Sequence, residues 1–217
     1  MQPFANDPSF TLLPEGAVFL TSSRTLVVAD LHLGKSATFR ARGLPVPEGD
    51  TARDLARLLD LCQRWSASHL VIAGDLFHAP VGVTPDLEAA LACFREKLIA
   101  PVTLVLGNHD AKLPRIPNSL QAAPWLDLAD GLRVIHDPAD ASGERLHLCG
   151  HLHPVVKIPD GKRSSLRLPC FFLRQRTLIL PTFGSFTGGA AVSPAAGDRV
   201  FVTLADRVVE LPDQLIG

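Results

Sequence analysis

The sequence predicts an α/β fold: a largely parallel sheet built from βαβ units, followed by an antiparallel or mixed half packed on it. Three observations predict it. Apolar, β-branched runs at residues 26–29, 70–73 and 102–106 alternate with helical patterns at 50–65 and 85–98, and strands joined by helical crossovers lie parallel. From residue 132 onward the segments are short and strand-like, with no helix pattern between them. Each of the three early runs empties into polar residues, and open α/β sheets carry their chemistry at the carboxyl ends of the strands.

Residues 1–16, with Pro3, Pro8, Pro14 and Gly16, read as an irregular lead-in. Ala17–Leu20 is short and apolar and runs into Thr-Ser-Ser, a strand entering a turn. Leu26–Ala29 is continuously apolar, hence a central strand, and ends on Asp30-Leu31-His32-Leu33-Gly34-Lys35. Residues 36–49 carry Arg40, Arg42, Gly43, Pro45, Pro47 and Gly49 and read as a basic excursion. A helix is expected from Asp50 to Trp65, capped by Asp50 or Thr51, with Leu55, Leu58, Leu59 and Cys62 at helical spacing. Leu70–Ala73 is the next buried strand, ending in Gly74-Asp75-Leu76-Phe77-His78. Thr84 caps, and Pro85 opens, a helix reaching about Leu98. The strand from Val102 stops at Gly107-Asn108-His109-Asp110.

Residues 112–131 hold three prolines and little periodicity. Strands are then expected at Leu132–Ile135, Arg145–Cys149, Leu166–Leu173, Thr177–Leu180, Arg199–Leu204 and Arg207–Leu211. Asp160-Gly161 reads as a hairpin turn whose tip carries Lys157, Lys162 and Arg163. No Gly/Ser linker, repeat or low-complexity tract interrupts the chain, so residues 1–217 are expected to form one domain.

Composition narrows the function classes. With 217 residues and 47% apolar content the chain can bury a core. Lys+Arg is 21 against 22 Asp+Glu, a net charge of -1, which excludes a broadly basic nucleic-acid coat but not a local basic rim. Cys62, Cys93, Cys149 and Cys170 show no C-x-x-C spacing, so they read as reduced thiols rather than a zinc ribbon or redox pair. The N-terminal segment has no basic region followed by an apolar run, and no stretch approaches the about 20 apolar residues of a membrane helix. A cytoplasmic protein without membrane contact is the expectation.

Four turns carry ligand-type residues: Asp30-x-His32, Gly74-Asp75, Gly107-Asn108-His109-Asp110 and Gly150-His151-Leu152-His153. His136, ending the strand Arg133-Val134-Ile135, is a fifth candidate, with His147 as its competitor. Alternate residues of an extended segment project to one face, so His151 and His153 can grip one ion. Six of the eight histidines fall in or beside these turns, a concentration that independent structural roles do not produce. His69, at a strand start, reads as structural. Oxygen and imidazole donors without thiolate favour Mn, Fe or Zn over a closed structural zinc site. About seven donors are too many for one ion and suit two that share a carboxylate, an arrangement adapted to in-line displacement at phosphorus.

The ordered series D-x-H, G-D-x-x-[DH], G-N-H-D, a lone His and G-H-x-H resembles the calcineurin-like metallophosphoesterase superfamily, over residues 25 to 155. More narrowly, the chain resembles the bacterial ligase-associated DNA-damage-response phosphoesterases. The residues that carry this narrower likeness are Val28–Lys35, Gly74–His78, Leu168-Pro169-Cys170-Phe171 and Leu180–Gly188. The resemblance implies a four-layer α-β-β-α sandwich with two divalent metals, manganese foremost, at its top. It implies one metal on Asp30, His32, Asp75 and His153 and another on Asp75, Asn108, His136 and His151, with Asp75 bridging. A hydroxide between the metals would attack a phosphodiester in line. His109 would stand outside the ligand set, near the scissile phosphate, stabilising the transition state or protonating the leaving oxygen. DNA is the substrate so implied, as for a repair endonuclease working with a ligase- or helicase-containing system. A small-molecule phosphatase or nucleotide pyrophosphatase, and a catalytically silent scaffold, are the rival readings.

One position departs from the family pattern. Many members carry an acidic residue three positions after the bridging Asp, orienting the His of the Asn-His pair; here it is His78, so no His109–carboxylate dyad is expected. Asp110 is expected to support the turn. Lys35, Arg40, Arg42, Lys112 and Arg115 follow the ligand turns and form either a phosphate-binding rim or an ordinary solvated surface. Phe183, Gly184 and Phe186 suit either base stacking or packing behind the site.

Overall fold

In the computed structural model, which describes residues 9–128, 131–159 and 165–212, two β-sheets lie face to face, with helices packed on the outside of the first. The first sheet runs in chain order: β1 (Phe10–Leu13), β2 (Ala17–Leu20), β3 (Thr25–Val28), β4 (His69–Ala73), β5 (Val102–Val105) and β6 (Gln121–Ala123). β1, β2 and β3 pair antiparallel; β3 to β6 pair parallel. The parallel part is the expected βαβ run, with crossovers through α2 (Asp50–Arg64) and α3 (Pro85–Lys97). Val28 pairs with Ile72 and Ile72 with Leu104, so the turns after β3, β4 and β5 leave the sheet at one edge.

Side chains alternate between the faces of this sheet. Leu26, Val28, Leu70, Ile72, Val102 and Leu104 pack with Leu55, Leu58 and Leu61 of α2 and Leu87, Leu91 and Phe94 of α3. Val27, Ala29, Val71, Ala73 and Val105 pack against the second sheet. Both faces are covered, which is why these strands read as unbroken apolar runs.

The second sheet comprises β7 (Leu126–Asp127), β8 (Leu132–Val134), β9 (Leu146–Cys149), β10 (Pro154–Pro159), β11 (Ser165–Arg174), β12 (Thr177–Ile179), β13 (Ala190–Ala191), β14 (Arg199–Thr203) and β15 (Val208–Glu210). It is mixed, as expected: β8, β9 and β12 are mutually parallel, whereas β11 pairs antiparallel with β10, β12 and β14. Its inner face presents Val134, Leu148, Phe171 and Leu178 to the first sheet. The outer face, with Cys149, Cys170, Phe172 and Val200, is covered by Ile158, Leu168, Val192 and Leu211.

Four local expectations need correction. Within the supposedly irregular lead-in, residues 10–13 form β1, because Phe10 and Leu13 are buried while Thr11 is exposed. The basic excursion begins with a helix, α1 (Lys35–Ala41), whose buried positions are Ser36 and Thr38, so it shows no apolar stripe. Gly49, not Asp50 or Thr51, occupies the cap of α2. Asp50 instead accepts the Ser36 hydroxyl at 2.5 Å, and Thr51 Oγ1 accepts the Gly34 N–H at 3.1 Å, tying α1 to α2. Finally, β6 and β7 fall in the proline-bearing stretch expected to lack elements.

Thr84 caps α3 as expected, accepting the Leu87 N–H. The Asp160-Gly161 turn with Lys162 and Arg163 lies outside the described residues, though the flanking strands pair antiparallel at Pro159 and Ser165. All four cysteines are free; only Cys93 is exposed. No helix among the described residues is long and apolar enough to cross a membrane.

Candidate metal centre

The turns after β3, β4, β5 and β9, and the end of β8, converge on one spot. Asp75 lies at its middle. Its Oδ1 accepts the His109 N–H at 2.9 Å. Its Oδ2 faces Nε2 of His136 at 3.5 Å, of His109 at 3.9 Å and of His32 at 4.0 Å.

Two donor groups flank that oxygen. On one side Asp30 Oδ1 lies 3.3 Å from His153 Nε2, which lies 3.2 Å from His32 Nε2. On the other, Asn108 Oδ1, His136 Nε2 and His151 Nδ1 stand 3.1–3.2 Å apart. Asp30, His32 and His153 thus form one metal-competent group and Asp75, His136 and His151 another; His32, His78 and His109 form a third, which lacks a carboxylate.

The donors fit cations. Imidazole nitrogens only 3.2 Å apart suit the edge of a coordination shell with bonds of about 2.1 Å. Asp30 Oδ1 is buried with no hydrogen-bond partner, whereas Oδ2 accepts the His151 N–H at 2.9 Å. An orphaned carboxylate oxygen aimed into a ring of imidazoles calls for a positive charge.

Where the opposite ring nitrogen meets a main-chain carbonyl, the tautomer is fixed. His136 Nδ1 donates to the Ala73 carbonyl at 3.0 Å, and His153 Nδ1 donates to the Gly188 carbonyl at 3.1 Å. His32 Nδ1 lies 3.5 Å from His78 Nδ1. His109 Nδ1 donates to the main-chain carbonyl of His78.

Electrostatics sort the imidazoles. Burial, helped by the charges of His153, His109 and Lys35 and opposed by Asp75, lowers the His32 pKa to about 3. Burial, with Lys35, His109 and Arg42, lowers His78 to about 4. Both rings are neutral near pH 7. For His136 burial also lowers the pKa, but the Asp75 hydrogen bond and charge outweigh it and raise the value to about 9. Burial pushes Asp75 up, yet His136 and the His109 N–H bring it below the ordinary carboxylate range.

The backbone is bent to make this possible. Asp30, His32, Asp75, His151 and His153 all have positive φ, between 46° and 70°. Such conformations cost on the order of 1–3 kcal/mol each and gather at functional sites. Gly107 is required for another reason: a Cβ there would strike Asp75 Oδ1.

Asp110 is buried and lies outside both donor groups. Its oxygens accept the N–H groups of Phe77 at 3.0 Å, Gly107 at 3.1 Å and Leu76 at 3.3 Å, joining the β4 and β5 turns. Burial outweighs these bonds and raises its pKa to about 6. The segment after β12 clamps the Asp30 turn. Thr182 Oγ1 donates to the Asp30 carbonyl at 2.7 Å, and the Phe183 and Gly184 N–H groups donate to the carbonyls of Ala29 and Asp30. Helix α2 holds this clamp, with Asp54 accepting the Ser185 N–H and Arg57 donating to the Phe183 carbonyl.

Phe183 is therefore a core residue under Arg57, whereas Phe186 is 37% exposed. His147 sits inside β9, away from the donor groups, with Nε2 toward the Ser142 N–H; His69 contacts Thr103 Oγ1. Arg40 is engaged by Glu48 at 3.1 Å and the Pro47 carbonyl, whereas Lys112 and Arg115 are exposed. The clamp and the His78 carbonyl escaped sequence reasoning. The first acts across 152 residues of chain, and the second is a main-chain atom that no residue type signals.

The chain is similar to known proteins along most of its length. A model of the calcineurin-like phosphoesterase family matches residues 23–166, which hold all five ligand-bearing segments. The solved nuclease MPE of Pseudomonas putida is 34% identical, covering 93% of this chain and 94% of that one, with a TM-score of 0.77. The E. coli phosphoesterase YfcE is 18% identical, covering 89% and 99%, with a TM-score of 0.44. No curated protein matches. Matched by the family model over residues 23–166, and 34% identical to MPE with its fold shared along nearly the whole length, the chain belongs to the calcineurin-like phosphoesterase family.

Proposed function

We propose that this chain is a dinuclear, manganese-favouring phosphodiesterase that cuts DNA internally and serves DNA repair in the cytoplasm, beside a ligase- or helicase-containing system. The observation that carries the reading is the position of Asp75 Oδ2 between two donor groups. Asp30, His32 and His153 with Asp75 would hold one cation, and Asn108, His136 and His151 with Asp75 the second. Bound there, the pair supplies positive charge to the phosphoryl oxygens and makes water acidic enough to attack phosphorus. The nuclease identity of MPE supports a nucleic-acid substrate, and the repair role rests on the narrower resemblance of the sequence.

The protein's own groups do the positioning. Nδ1–H of His109 is committed to the His78 carbonyl, so Nε2 is the nitrogen turned toward Asp75 and the reacting phosphate. Protonated, that nitrogen donates to the leaving oxygen; neutral, it accepts from an attacking water. Asp110 keeps the two turns that carry Asp75 and His109 in register.

The test is a manganese-supplemented assay on single-stranded DNA, duplex DNA, bis-p-nitrophenyl phosphate and a phosphomonoester, with Asp75→Asn as control. Cleavage of DNA and the diester, abolished by Asp75→Asn, is expected. Strong monoesterase activity without DNA cleavage would overturn the nuclease reading, and activity surviving Asp75→Asn would overturn the site.

A further inference from the structure

Helix α1 starts three residues after His32 and lies along the rim of the centre. Lys35 and Phe39 on it, and Arg42 at its C-cap, recur at i, i+4 and i+7, one face of a helix. That face looks toward His78: the Phe39 ring meets the His78 ring edge-on at 6.0 Å, and the charges of Lys35 and Arg42 both bear on His78. Phe186 completes the surface, its ring 5.7 Å from that of Phe39. It is carried by the clamp segment, two residues before Gly188, whose carbonyl holds His153.

The charges on this face are uncommitted. Neither Lys35 nor Arg42 forms an ion pair with a carboxylate among the described residues, whereas neighbouring Arg40 is paired with Glu48. Lys35 is half-buried, an environment that disfavours an ammonium without a counter-charge. An aromatic pair with one partly exposed ring, flanked by unpaired cations, is the surface that unpaired nucleotides bind. Bases stack on the rings and phosphates meet the cations. Lys35 and Arg42 stand about 10 Å apart along the helix axis, so the two cations meet different phosphates.

We propose that Lys35 and Phe39 of α1, its capping residue Arg42, and Phe186 form a track for single-stranded DNA beside the scissile bond. One base rests against Phe186 and Phe39, and flanking phosphates are held by Lys35 and Arg42. This rests on the phosphodiesterase reading above and adds the strand preference. A paired base cannot reach the rings, so duplex DNA gains only the charge contacts.

The experiment is fluorescence anisotropy with a dye-labelled oligothymidylate and the full chain in EDTA, where nothing is cut. Phe186→Ala is expected to weaken binding about tenfold and Phe186→Trp to keep it, as stacking on a single ring implies. Lys35→Met is expected to weaken binding and to flatten the plot of log K against log salt by about 0.7, one phosphate contact on a single strand. Arg207→Ala, removing an exposed cation on the second sheet, is the control for a general charge effect. Unchanged binding by both Phe186→Ala and Lys35→Met would overturn the track, as would a duplex bound as tightly as the single strand. Parent-protein hydrolysis of bis-p-nitrophenyl phosphate is measured separately, so loss of the activity reading and loss of the track give different results.

Discussion

The Nδ1 nitrogen of His109 lies 2.5 Å from the main-chain carbonyl oxygen of His78. Where a carboxylate would orient this imidazole through a side chain, the backbone does so here, and the His78 ring stacks on that of His109 at 5.2 Å between centroids. A carbonyl fixes the tautomer as a carboxylate does, but carries no formal charge.

His109→Ala is therefore expected to lower kcat on a diester about 10²- to 10⁴-fold, the usual worth of a positioned acid or base. Bound metal, counted by elemental analysis, should not change, because His109 belongs to neither group that contains Asp75 or Asp30, and the group it forms with His32 and His78 lacks a carboxylate. Parallel loss of metal and rate would show that it is a ligand instead.

His78→Ala separates the ring from the backbone. The carbonyl that orients His109 survives, whereas the partner of His32 Nδ1 is lost. Metal affinity measured by calorimetry is expected to fall about 10- to 100-fold, as when a ligand loses its outer support. Rate at saturating manganese should change far less.

Metal uptake should release protons. His136 in the metal-free protein has its pKa raised to about 9, because Asp75 outweighs burial. Near neutral pH a cation must displace that proton. Affinity is expected to rise about tenfold per pH unit and to level off above about 9, where the ring is already neutral. Titrations in two buffers of different ionisation enthalpy read the proton directly, and identical heats would refute it. The sign for folding is opposite: the folded state binds this proton more tightly than the unfolded one. Its stabilisation is full below the ordinary value of 6.5 and is lost as pH rises toward about 9.

Asp110→Ala removes the acceptor for three buried N–H groups in two adjacent turns. Unpaired buried donors cost about 1–3 kcal/mol. Denaturant unfolding is expected to show at least about 2 kcal/mol of destabilisation, together with weaker metal binding because the Asp75 turn loosens. An unchanged midpoint would mean that the turns hold without it.

Much of the donor set was legible because buried strands that end in Asp, His or Asn are hard to explain by packing. The apolar runs of β3, β4 and β5 announced themselves for a related reason: both faces are covered. Helix α1 was not legible, since its buried face is Ser36 and Thr38 and gives no hydrophobic period. Nor was the role of Thr182–Ser185, whose hydrogen bonds join the Asp30 turn to α2 mostly through main-chain atoms. Asp50 and Thr51 looked like caps and proved to be fasteners for α1, because Gly49 already supplied the helix start.

The Thr182 clamp has a consequence for the newly made chain. It is 152 residues from the Asp30 carbonyl it grips. The ribosome delivers the first ligand long before the segment that holds it in its left-handed bend. A nascent chain can pair β3 with β4 early, yet it has no completed hydrolytic centre until its last third has emerged and closed this long loop.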